Sequence, residues 1–68
     1  MLITNCIEQR RRAANMTQAV LAEKTGVTQG AISMIENGDR NPSLEVLLKI
    51  AEALGCTIGD LYKQETSA

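Results

Sequence analysis

Residues 18–37 read QAVLAEKTGVTQGAISMIEN. Leu21, Val27, Ile32 and Ile35 fall at inward positions of two short helices, and Gly26 lies between them. Ala22 stands four residues before Gly26 and is small where the two helices nearly touch. A tight turn between packed helices needs a residue at positive φ, and glycine supplies it without a steric penalty. Thr17 is an N-cap for a helix over Gln18–Thr25, and Thr28 for a helix over Gln29–Asn37.

Working outward, a preceding helix is expected from about Ile3 to Ala14, with Ile3, Ile7 and Ala14 on one face, Cys6 beside them and Asn15 closing it. Asn37-Gly38 ends the third helix, and Asp39 to Pro42 is a loop. Proline disfavours a helical residue before it, so Pro42-Ser43 is a boundary. Ser43 caps a fourth helix that reaches Leu54 and stops at Gly55. Thr57 caps a last short helix, with Asp60 three residues on in the manner of a capping box. No stretch alternates β-branched and polar residues, so the expected fold class is all-α, with five helices in a single domain over residues 1–68. The fourth helix carries a main stripe of Leu44, Leu47, Leu48, Ala51 and Leu54 and a second of Val46, Ile50 and Ala53. The second packs on the last helix through Ile58 and Leu61, or faces another copy of the chain.

Composition narrows the function. The chain has 68 residues, 44% hydrophobic and 22% charged, with a net charge of −1. It has no histidine, which removes serine–histidine and cysteine–histidine catalysis and most zinc sites. No phosphate-cradling glycine loop is present, so neither an enzyme nor a cofactor, metal or small-molecule ligand is expected. Tyr62 is the sole aromatic residue, too few for a single-strand stacking platform. Cys6 and Cys56 make no disulfide framework and read as small hydrophobes in a reducing compartment, the alternative being a bridge or redox switch. The longest apolar run is four residues and the N-terminus has no leader pattern, so a cytoplasmic protein is expected. It starts at Met1 and ends in a polar stretch, Gln64 to Ala68, which fits a small stand-alone protein, the alternative being one domain cut from a longer chain.

Arg11 lies four residues after Ile7, and Glu36 four after Ile32, each on an apolar face. An unpaired buried charge is expensive, so the two are expected to meet as an ion pair between the first and third helices. Residues 1–40 sum to +1 and residues 41–68 to −2. With Arg11 neutralised, Arg10, Arg12, Lys24 and Arg40 remain for a polyanion.

The stretch from Ile7 to Leu61 resembles the Cro/CI-type helix-turn-helix family, which includes phage repressors, Cro proteins and Xre-type regulators. The likeness rests on Arg11, Thr17-Gln18, Leu21-Ala22-Glu23-Lys24, Gly26-Val27-Thr28-Gln29, Ile32-Ser33, Ile35-Glu36-Asn37-Gly38, Pro42-Ser43-Leu44 and Ala53-Leu54-Gly55. It implies a compact five-helix, lambda-repressor-like domain whose third helix enters the DNA major groove N-terminal end first. Gln29 would pair with adenine, Ala31 would touch a thymine methyl, and Gly30, Ser33 and Met34 would complete the base-reading face. Gln18 would hold a phosphate and brace Gln29, while Thr28, Asn37, Arg40, Asn41 and Arg11 would contact the backbone. The resemblance also implies the Arg11–Glu36 pair. The function expected is a transcriptional regulator, a repressor, bound as a homodimer to double-stranded DNA at a palindromic operator. The alternative is a partner-binding module such as the antitoxin of a toxin pair.

Overall fold

The computed structural model describes residues 2–65. Met1 and residues 66–68, the end of the polar stretch, lie outside the described residues. In chain order the elements are β1 (Leu2–Asn5), α1 (Ile7–Ala13), α2 (Gln18–Thr25), α3 (Gln29–Asn37), α4 (Leu44–Leu54), a 3₁₀ turn (Ile58–Leu61) and β2 (Tyr62–Glu65).

Three helices begin on a side-chain cap. Thr17 accepts from Val20 N, Thr28 from Ala31 N and Ser43 from Val46 N. Gly26, Gly38 and Gly55 close the same helices in the left-handed conformation. At Gly26, with φ of 71°, a Cβ would meet nothing, so it is the backbone conformation that calls for glycine.

The fold departs from the all-α expectation. Among the described residues it has four α-helices, a 3₁₀ turn in place of the last helix, and an antiparallel two-stranded ribbon. Leu2 pairs with Glu65, Ile3 with Gln64, Thr4 with Lys63 and Asn5 with Tyr62. The first helix therefore starts at Ile7 rather than Ile3. Two bonds enforce that start. Cys6 N donates to Leu61 O at 2.7 Å, and Ile7 N donates to Asn5 Oδ1 at 3.3 Å. Both donors are committed outside a helical turn, which leaves residues 2–5 extended.

Ile7, Leu21, Ile32, Ile50 and Leu61 are fully buried and draw one residue from each of the helices and the 3₁₀ turn into a common core. Ala22, Ile35 and Ala51 complete it. On α4 the stripes sort differently from the sequence reading. Ile50 and Ala51 are buried, and Val46, Leu47, Ala53 and Leu54 pack against the core. Leu44 and Leu48 are 66% and 54% exposed. Apolar residues cover more of the α4 circumference than so small a core can bury. Among the described residues, no helix is long and apolar enough to cross a membrane.

Candidate nucleic-acid interface

The α2–α3 unit presents the N-terminal end of α3 to solvent. Gln29 and Gly30 are exposed, as are Thr28 and Met34, and Ser33 is half-buried. Adding a Cβ at Gly30 would meet nothing, so this end of the helix is an open surface. Ala31 is different. It is only 7% exposed and turns most of its surface to the core. Its place four residues before the buried Ile35 puts it on the inward row, a spacing legible in the sequence.

Behind this face lies a charged junction. Arg11 Nε donates to Glu36 Oε2 at 2.7 Å and Arg11 Nη2 to Glu36 Oε1 at 3.3 Å. Arg11 Nη1 donates to the Met16 carbonyl at 2.8 Å. Gln18 Nε2 donates to Glu36 Oε1 at 3.0 Å. The Arg11 and Glu36 side chains are 8% and 2% exposed. The Glu36 hydrogen bond holds the Arg11 guanidinium charged, raising its pKa against the opposing cost of burial. One carboxylate thus ties α1, α2 and α3 together. All three Arg11 nitrogens are engaged within the chain, so it acts first as a brace and has only its remaining N–H groups for a phosphate. Gln18 spends an amide proton on Glu36, so bracing Gln29 would fall to its carbonyl oxygen or its second proton.

Two shallow depressions flank α3. Gln18, Gln29, Arg11, Arg12 and Thr17 line one, at the N-terminal ends of α2 and α3. Free N–H groups and the helix dipole favour an anion at such ends. Asn37, Arg40 and Asn41 line the other, beside Ile3, Asn5 and Tyr62 of the ribbon. The expected backbone contacts therefore divide into two groups at opposite ends of α3. Thr28 caps the N-terminal end, beside Gln29, its hydroxyl already accepting from Ala31 N.

Two of the basic residues expected at this face lie elsewhere. Arg10 Nε donates to the Asp60 carbonyl at 3.3 Å, and its guanidinium stands 3.7 Å from the Asp60 carboxylate. Lys24 borders a cleft between α2 and α4 with Lys49 and Glu52. Arg12, 73% exposed and in a loose 3.9 Å contact with Glu8, is the freer member of the arginine run. Asn5, missed in the sequence because it was placed on a helix, donates through Nδ2 to the Ile35 carbonyl at 2.9 Å and so holds the last turn of α3.

Comparison with known proteins agrees with this arrangement. A family described as helix-turn-helix matches residues 7–61. The chain is 39% identical over 61 residues to an uncharacterized HTH-type transcriptional regulator of Methanocaldococcus jannaschii, covering 90% of this chain and 92% of that protein. It is 36% identical to the cryptic phage CTXphi transcriptional repressor RstR of Vibrio cholerae, covering 90% of this chain and 54% of that one. Among solved structures, the P22 c2 repressor in complex with a synthetic operator superposes with a TM-score of 0.77 at 36% identity, over 81% of this chain and 83% of that one.

Proposed function

This chain belongs to the helix-turn-helix family of transcriptional regulators, which includes phage repressors, and on that footing we propose that it is a sequence-specific double-stranded DNA-binding repressor acting as a homodimer. The observation that carries the reading is the exposed N-terminal end of α3, with Gln29 and Gly30 open to solvent, above the buried Arg11–Glu36–Gln18 junction.

The mechanism follows from that geometry. The major groove admits an α-helix and offers each base pair a distinct donor and acceptor pattern. Gln29 supplies one donor and one acceptor, which match N7 and N6 of adenine. Gly30 lets the backbone come close to the base edges. Met34 offers apolar contact and Ser33 a hydroxyl. With so few polar readers, DNA shape carries a large share of the specificity. Gln18 and Arg12 on one side of α3, and Asn37, Arg40 and Asn41 on the other, hold the two phosphate backbones and set the register. Arg11 serves by fixing α1 against α3.

The homodimer is supported by Leu44 and Leu48, one turn apart on α4 and exposed. Glu45 and Lys49 beside them offer both charge signs to a two-fold mate. Two such units would place their recognition helices about 34 Å apart, one turn of DNA, on a palindromic operator. Occupancy of a promoter by the dimer would exclude polymerase. We read residues 1–68 as one domain devoted to this task, without catalytic activity.

The test is selection from random duplex DNA with the purified protein, followed by sequencing. Enrichment of an inverted repeat with half-sites about 10 bp apart is the expected result. No enrichment at low salt, with the protein folded, would move the reading to a partner-binding module.

A further inference from the structure

Two thiols away from the α3 face border one turn of the chain. Cys6 joins β1 to α1, and Cys56 joins α4 to the 3₁₀ turn. Both are free and half-buried. The Cys6 thiol donates to the Asp60 carbonyl at 3.1 Å, and Arg10 Nε donates to the same oxygen at 3.3 Å. The Asp60 carboxylate turns back to accept from Thr57 N at 3.1 Å, on the residue directly after Cys56. Asp60 is thus bonded on one side by Cys6 and on the other by the residue adjoining Cys56. The Cys56 thiol also lies within electrostatic reach of Cys6, Arg10 and Asp60.

We infer that Cys6 and Cys56 form a dithiol modification site, converted to an intramolecular disulfide by low-molecular-weight disulfides such as oxidised glutathione. The Cys6 thiolate attacks one sulfur of the small disulfide and expels a thiolate. The Cys56 thiolate then attacks the mixed disulfide at Cys6 and expels the second. The two protein thiols lose two protons and two electrons, and the small disulfide gains them as two thiols. Burial raises the pKa of Cys56 and Arg10 opposes the rise. The attacking species in both steps is the thiolate, so the exchange quickens as pH rises. The product would join position 6 to position 56 and enclose α1 to α4 in one covalent loop, which opposes unfolding by restricting the unfolded chain. The inference stands apart from the DNA reading, since none of the residues assigned to DNA supplies a thiol.

The experiment incubates the reduced full chain with graded oxidised glutathione and follows intact mass, free thiol, non-reducing electrophoresis and melting. The wild type is expected to lose two hydrogens, retain no glutathione, remain a single chain and melt at least about 5 °C higher. Cys6→Ser and Cys56→Ser are each expected to stop at a stable glutathione adduct with no rise in melting. Stable double adducts on the wild type, or disulfides between chains, would overturn the inference. If either serine variant fails to fold, the wild-type mass and gel decide alone.

Discussion

The side-chain amide of Asn5 donates to the backbone carbonyl of Ile35 at 2.9 Å, linking the first strand to the last turn of α3. The other end of the same amide accepts from Ile7 N and starts α1. A single side chain therefore positions both the helix that carries Arg11 and the helix that carries Gln29. Asn5→Ala is expected to cost about 1–3 kcal/mol, because it leaves part-buried backbone groups without partners. Denaturant unfolding measures it, and a loss within error would mean that water replaces both bonds.

Arg11→Ala is expected to cost about 3–5 kcal/mol, since it strands the Glu36 carboxylate, 2% exposed, without its countercharge. Gln18→Ala should cost less, because the ion pair survives it. Equilibrium unfolding of the two variants side by side gives the comparison. A loss under about 1 kcal/mol for Arg11→Ala would mean that the pair contributes no more than a surface bridge.

Gln29→Ala and Ala31→Gln separate base reading from packing. Gln29 is exposed, so its loss should leave the melting temperature unchanged and relax preference at one base pair by about 1–3 kcal/mol. Ala31 is buried, so the larger side chain should destabilise the fold by about 1–3 kcal/mol. Binding titrations against single-base operator variants, with melting curves for both proteins, distinguish the two effects. Equal loss of preference and stability in Gln29→Ala would contradict its assignment.

Leu44→Glu together with Leu48→Glu should dissociate the proposed dimer with little change in monomer stability, because both side chains are largely solvated already. Sedimentation of wild type and variant over a range of concentrations reads the outcome. An unchanged dimer would place the interface on another surface.

Asp60 gives the fold a defined acid response. The Thr57 backbone and hydroxyl hydrogen bonds, with a smaller contribution from Arg10, hold its carboxyl below its ordinary value of 3.8. A carboxyl depressed on folding contributes stability above its unfolded pKa and loses it as pH falls through the lower, folded value. Melting temperature followed from about pH 6 to about pH 2 should therefore drop less steeply in Asp60→Asn than in the wild type. Parallel curves would assign the acid limb to other carboxylates.

Much of this architecture is legible in local signals. Thr17, Thr28 and Ser43 start α2, α3 and α4, and Gly26, Gly38 and Gly55 end them, because caps act over three or four residues. Arg11 and Glu36 are readable as inward charges from their spacing to Ile7 and Ile32. The ribbon is not legible. Four residues are too few to display a strand period, and the partner of Leu2–Asn5 lies at the far end of the chain. The orientation of α4 is equally hidden, since both of its apolar stripes satisfy helical spacing and only the size of the core decides between Ile50 and Leu48. At the candidate interface, Gln29 and Gly30 follow from the cap at Thr28.

The pairing of β1 with β2 also sets an order of assembly. Strand β1 leaves the ribosome well before its partner, Tyr62–Glu65. Helices α2, α3 and α4 find their contacts close by in sequence and can associate while synthesis continues. Asn5 cannot settle on Ile35 with the ribbon formed until Tyr62 to Glu65 arrive. The last turn of α3 is therefore secured only once Tyr62–Glu65 have been made, and a chain truncated before Tyr62 would keep its helices while leaving that turn unanchored.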